Sequence, residues 1–225
     1  MRIHWVVFDL NGTLFEVSPI SRALPPPLND ERTALILLND TVFQAMADTL
    51  AGRYRPFADY LAAAVRRRLA LAGHASDAAV DDAVTAAGCL PAYPEAGRAL
   101  AALADAGLRV ATITNSPTVT AERALTASGL RQRFDHVIGS DTCQAYKPSR
   151  IVYDNGLRRI GGAPAEVCMV AAHGWDLLGA HQAGMRTAWI SRGERIRLDT
   201  VPQPDVIGNN LFDTVTAIID ANGPV

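Results

Sequence analysis

The sequence predicts a doubly wound α/β fold, a parallel sheet wrapped by helices, with a helical insert directly after the first strand. Three observations lead there. Five short apolar runs rich in β-branched residues lie at Ile3 to Phe8, Leu108 to Ile113, His136 to Ile138, Val167 to Val170 and Arg186 to Ile190. Their lengths suit strands buried on both faces of a parallel sheet. Helical patterns fill the intervals between the last four runs, and the stretch from 15 to 91 carries no strand pattern at all.

The first run ends in Phe8-Asp9-Leu10-Asn11-Gly12-Thr13-Leu14, where Gly12 permits a tight turn. The insert, 15–91, is rich in Ala, Leu and Arg; Pro25-Pro26-Pro27 reads as a rigid extended connector, and Gly52 and Gly73 punctuate helical stretches. Pro94 to Ala106 then repeats apolar residues at helical spacing before Gly107, and Thr118 to Ser128 does so before Gly129. Ser149 to Ile160 and Asp176 to Ala183, ending at Gly184, complete the alternation. The expected organisation is a core of 1–14 and 92–225 with a helical cap of 15–91. Its position matters, because open α/β sheets bind ligands at the C-terminal ends of their strands. A cap there can exclude water and add substrate contacts.

Composition narrows the function. The 225 residues are 49% hydrophobic and 20% charged, with 21 basic against 23 acidic side chains and a net charge of −2. No basic field favours nucleic acid or anionic lipid. Cys89, Cys143 and Cys168 are widely spaced, with neither a zinc pattern nor an obvious pairing, which fits a reducing cytoplasm; Cys168 sits in an apolar run and reads as a buried thiol. The first apolar stretch is too short for a signal peptide, and no run is long enough to span a membrane. The expectation is a cytoplasmic protein acting on a small molecule.

Four groups fall at consecutive strand ends. Asp9 tips the first strand, where a carboxylate among converging amides can attack an electrophile and form an ester. Thr114-Asn115-Ser116 closes the second, Lys147-Pro148 follows the third, and Trp175-Asp176 follows the fourth. A lysine near Asp9 would hold it ionised. Singly, each has an ordinary explanation: helix cap, surface lysine, N-cap aspartate. Their order along the chain argues for one site.

This constellation resembles the haloacid dehalogenase-like (HAD) superfamily over nearly the whole chain, with its four motifs present as FDLNGTL, TITNS, the Lys147-Pro148 segment and VAAHGWD. The resemblance implies a Rossmann-like core with a helical cap, and it makes Asp9 the nucleophile. Thr114 would then bind the substrate, Lys147 steady the charge and Asp176 position water. Phosphatases of the superfamily carry a second aspartate two residues after the nucleophile; here Asn11 stands there, and an amide cannot act as general acid. Asp176 alone is also a poor magnesium site. Halide needs no protonation to leave. The string YKPSRIVY and the Trp175-Asp176 pair are similar to the type II (L-2-haloacid) dehalogenases, which implies that Lys147, Tyr153 and Trp175 line the site.

Two departures stand out. The arginine those dehalogenases carry on the first cap helix is absent between Ile36 and Gly52, flanked by Arg22, Arg32, Arg53 and Arg55, and Ala171 and His173 replace the usual serine and asparagine of the fourth motif. His173 could deprotonate the hydrolytic water, since imidazole titrates near neutrality; the alternative is a histidine bonded to backbone at a helix start. The leading expectation is a metal-independent 2-haloacid hydrolase, with Thr13, Thr114 and Asn115 holding the substrate carboxylate and no cofactor. Magnesium enters only under the alternative, a phosphatase or phosphonatase-like activity. A third reading is a family member that binds a small acid without turnover. A homodimer is left open, as such dehalogenases often dimerise.

Overall fold

The computed structural model describes residues 2–223. Its centre is a six-stranded, wholly parallel sheet: β1 (Trp5–Phe8), β2 (Arg109–Ile113), β3 (His136–Ile138), β4 (Val167–Ala171), β5 (Arg186–Ile190) and β6 (Val206–Gly208), in the order β3-β2-β1-β4-β5-β6. The strand order reverses at β1, which lies between β2 and β4. That reversal opens the crevice in which such sheets hold ligands.

Helices cover both faces, and β1 shows why. Val6 and Phe8 face one apolar core together with α5 (Ala96–Asp105) and α9 (Leu211–Asn222). Trp5 and Val7 face the opposite core, against α7 (Arg150–Ile160) and α8 (Gly174–Gln182). Both faces of the strand are covered, so all four of its residues are apolar. Helix α6 (Thr118–Ala127) joins β2 to β3.

Between β1 and α5 the chain forms α1 (Ser18–Arg22), α2 (Glu31–Leu50), α3 (Phe57–Leu71) and α4 (Asp77–Ala87), which pack on one another. The two ends of this stretch meet: Glu16 N–H donates to the Pro91 carbonyl at 2.9 Å and Tyr93 N–H to the Leu14 carbonyl at 3.0 Å. Asp30 caps α2, its side chain accepting from Thr33 N–H at 2.6 Å.

Three features depart from the sequence reading. Pro25 to Pro27 is a turn between α1 and α2, closed by Leu28 N–H donating to the Pro25 carbonyl at 2.9 Å, and not an extended connector. Strand β6 escaped notice because it is three residues long at the sheet's edge, with Ile207 49% exposed. Helix α9 had a readable start, since the Asn210 side chain accepts from Asp213 N–H at 2.9 Å, yet it follows the last recognised strand and closes no βαβ unit. Among the described residues, no helix is long and apolar enough to cross a membrane.

Candidate active site

Asp9 leaves the tip of β1 into a turn that its own sequence builds. Leu14 and Phe15 N–H groups both donate to the Leu10 carbonyl, at 2.8 and 2.9 Å, and Gly12 adopts φ +83°. A side chain at position 12 would have to tolerate that angle and would meet His173 Nε2 at 2.8 Å, so glycine is required twice over. The turn folds Thr13 back, and its hydroxyl donates to Asp9 Oδ2 at 2.8 Å while accepting from Ala172 N–H at 3.0 Å.

The centre of the site is Lys147. Its fully buried ammonium donates to Asp9 Oδ1 at 2.8 Å, Asp176 Oδ2 at 2.6 Å and the Ile113 carbonyl at 2.8 Å, which satisfies all three protons. The backbone of Lys147 is placed by the second strand's tip, because its N–H donates to Asn115 Oδ1 at 2.9 Å. Asp176 uses its other oxygen to accept from the Tyr153 hydroxyl at 2.6 Å. Asp9, Lys147 and Asp176 thus come together, and Thr114 lines the same cavity as Asp9.

Two carboxylates share one cation here, and their environments separate them. Burial raises the Asp9 carboxyl, but the Lys147 ammonium, the neighbouring His173 and hydrogen bonds from Lys147 and Thr13 outweigh it and hold Asp9 below the usual carboxylate range. Burial pushes Asp176 upward; Lys147 opposes this, yet repulsion from Asp9 leaves it raised. Burial alone would lower Lys147, and attraction to Asp176 and Asp9 reverses that, so the ammonium is held more firmly than a free lysine. Asp9 is therefore the more readily ionised member of the pair, and it faces the cavity. Burial, then Asp176, lifts Tyr153 well above the ordinary phenol range, so its hydroxyl remains a donor.

A narrow cavity opens beside Asp9, with a water-accessible volume of ≈ 10 Å³. Room for about one water remains. Asn11, Thr114, Asn115, His173 and Trp175 line it from the sheet side; Leu38, Val42 and Phe57 close it from α2 and α3. Asn115 contributes an unusual feature: its Nδ2 is buried and has no partner among the described residues. A buried amide donor left unsatisfied costs about 1–3 kcal/mol, a penalty an anion in the cavity would relieve. His173 stacks on Trp175, ring centroids 5.3 Å apart, and lies 3.9 Å from Asp9 Oδ2.

Several sequence-derived expectations land differently in space. Tyr153 is fully buried behind Asp176 and is not on the cavity wall, and the Thr13 hydroxyl is spent on Asp9 rather than facing the cavity. Asp176, also fully buried, does not line the cavity. Among the described residues no arginine lines it either: Arg53 and Arg55 lie 3.9 and 3.7 Å from Asp48, and Arg22 lies 3.3 Å from Glu16. The sequence reading passed over Leu38, Val42 and Phe57, because apolar residues on helices signal packing and carry no chemical signature. Ser116, which the sequence reading placed with the second motif, does not line this cavity but supports it: Asn11 Nδ2 donates to its hydroxyl at 3.3 Å, which holds the end of the first motif against the second.

A model of the family described as haloacid dehalogenase-like hydrolase matches residues 3–184. The chain belongs to the haloacid dehalogenase-like hydrolases. Among its relatives in the family, haloacetate dehalogenase H-2 of Moraxella sp. (strain B) is 27% identical over 198 residues, covering 85% of this chain and 87% of that one. The L-2-haloacid dehalogenase of Xanthobacter autotrophicus superposes with a TM-score of 0.87 at 25% identity, over 96% of this chain and 98% of that one. A second structure from that organism, described as having chloropropionic acid covalently bound, superposes with a TM-score of 0.86, also at 25% identity over 96% and 98% of the two chains. The six-stranded order seen here is thus that of a haloacid dehalogenase-like fold.

Proposed function

We propose that this chain hydrolyses small 2-haloacids through an ester on Asp9. An Asp9 carboxylate oxygen attacks C2 of the substrate; the C–O bond forms as the carbon–halogen bond breaks, and halide leaves with the bonding pair. Water then adds to the aspartyl carbonyl, releasing the 2-hydroxyacid, a proton and free Asp9. The carrying observation is the buried, ionised Asp9 held by Lys147 at 2.8 Å beside a cavity whose Asn115 amide has no partner. The anionic carboxylate of a haloacid suits that amide, with Thr114 beside it. Likeness to a haloacetate dehalogenase and to an enzyme solved with chloropropionic acid covalently bound supports the same chemistry.

Lys147 and Thr13 would orient the nucleophile, and Tyr153 would act through Asp176. We assign the second step to His173, which lines the cavity beside Asp9 and would take the proton of water on Nδ1, because Nε2 is committed to the Asn11 carbonyl. Residues 15–91 would serve as a cap, since Leu38, Val42 and Phe57 close the cavity from that segment.

A magnesium-dependent phosphatase fits less well. Asp176 has one oxygen on Lys147 and the other on Tyr153, so neither is free for a hard cation, and Asn11 supplies no acid. The absence of free oxygens supports a cofactor-free reaction. Three unpaired thiols suit a reducing compartment, the cytoplasm.

The deciding experiment follows halide release from chloroacetate and L-2-chloropropionate with and without EDTA, with intact-mass detection of an Asp9 adduct. Release insensitive to chelation is expected. Magnesium-dependent hydrolysis of a phosphate ester would replace this reading with the phosphatase, and acid binding without halide release would replace it with a binding protein.

A further inference from the structure

The small cavity at Asp9 has no room for a long substituent, so a hydrocarbon chain must leave it. Two larger spaces adjoin it. One, ≈ 300 Å³, is reached past His173 and carries charged side chains on its walls, among them Glu16, Glu31, Arg32 and Arg192. The other is apolar, ≈ 350 Å³, and shares Asn11, Leu38 and Phe57 with the Asp9 cavity. Its far walls come from the inserted helices, through Ile20, Leu61, Val84 and Ala87. Among the described residues its only charged lining side chain is Arg123, which is exposed. Its volume falls within the range of about 300–1,000 Å³ that small-ligand sites occupy.

The geometry points to a substrate class: 2-haloalkanoates carrying an unbranched hydrocarbon substituent of several carbons, whose chain occupies the apolar compartment. This rests on the reading of the site as a haloacid hydrolase and adds what that reading leaves unspecified. The carboxylate and halogen need donors, and the unpaired Asn115 amide and the Thr114 hydroxyl stand at the small cavity. The substituent needs none. Sending it past His173 would desolvate Glu31 and Arg32 without offering partners. Sending it past Leu38 and Phe57 removes mostly apolar surface from water and meets, among the described residues, no charged side chain but the exposed Arg123.

The test is a chain-length series: bromoacetate, 2-bromopropionate, 2-bromobutanoate and 2-bromohexanoate, one halogen throughout. Each methylene buried is worth up to about fourfold, so kcat/KM should rise at least about tenfold from 2-bromopropionate to 2-bromohexanoate. Ala87→Phe and Val84→Phe, which place a ring in the compartment, should lower the ratio of the longer to the shorter substrate. Calorimetric binding of unreactive hexanoate and propionate to the wild-type protein should show the same order. Turnover of 2-bromopropionate with no gain for 2-bromohexanoate, or equal binding of the two alkanoates, overturns the inference and leaves the dehalogenase reading intact. Failure to turn over any bromoacid overturns that reading, and this inference with it. Should either phenylalanine variant fail to fold, the wild-type series and the binding pair decide.

Discussion

His173 Nε2 lies 3.0 Å from the backbone carbonyl of Asn11. A carbonyl can only accept, so the Nε2 nitrogen carries a proton, and only Nδ1 is left to accept one. The histidine is therefore a strut holding the first-motif turn, and the base role proposed for it falls to Nδ1.

Those two roles separate experimentally. His173→Gln keeps an N–H donor for the Asn11 carbonyl but has no basic nitrogen. General-base assistance is worth about 10²–10⁴ in rate, so hydrolysis of the Asp9 ester should slow at least a hundredfold while its formation persists. Single-turnover kinetics and intact mass would show the ester accumulating. Full turnover by the glutamine variant would leave only the strut.

Asn115→Asp is almost isosteric and retains an oxygen for Lys147 N–H, now bonded at 2.9 Å to Asn115 Oδ1. It deletes the unpaired Nδ2 donor and sets a negative charge against an anionic substrate. We expect kcat/KM for a haloacid to fall by at least about a hundredfold, since losing a hydrogen bond to a charged group costs about 1.5–3 kcal/mol and repulsion adds to it. Steady-state halide release checks this, with the fold verified by circular dichroism.

Lys147→Met removes the cation shared by Asp9 and Asp176 and strands two buried carboxylates. Breaking a buried ion pair from one side costs about 3–5 kcal/mol. Denaturant unfolding should show a loss of that size, with no detectable turnover.

The same cluster sets how stability follows pH. The attraction of Asp176 and Asp9 raises Lys147 above the ordinary lysine value of 10.5, so its contribution is complete below pH 10.5 and is lost as pH climbs through the higher folded value. Asp9 is lowered below 3.8, so its contribution is present above pH 3.8 and disappears as pH falls through the lower folded value. Asp176 is raised and opposes Asp9 on the acid side, because its protonation relieves a buried charge. On account of this cluster, melting temperature should drop on the alkaline side only above pH 10.5. Lys147→Met should abolish that alkaline component; an alkaline transition retained in full would assign it to other groups.

Gly179 sits inside α8, where alanine ordinarily stabilises a helix by about 0.5–1 kcal/mol. Here a Cβ would lie 2.5 Å from the Tyr153 hydroxyl. Overpacking costs about 1–3 kcal/mol, and displacing Tyr153 unpairs Asp176, so the sign should reverse. Gly179→Ala should lower both the denaturation midpoint and turnover, and a stabilised, fully active variant would contradict the packing described.

The sequence alone determined the alternation of strands and helices, the helical stretch after the first strand and the chemistry at each strand tip. These are local properties: apolar runs, helical periodicity, a glycine in a turn, an aspartate, a lysine. Because parallel strands place their C-terminal ends along one edge, reading Asp9, Thr114, Lys147 and Asp176 in order was enough to bring them near one another. The facing of each side chain was decided only by tertiary structure. Tyr153 and Asp176 turned inward behind Lys147, Thr13 turned onto Asp9, and Leu38, Val42 and Phe57 arrived from a distant segment to close the cavity. Such outcomes depend on which partner satisfies each buried polar group and which helix fills each gap, and both are settled between residues far apart in the chain.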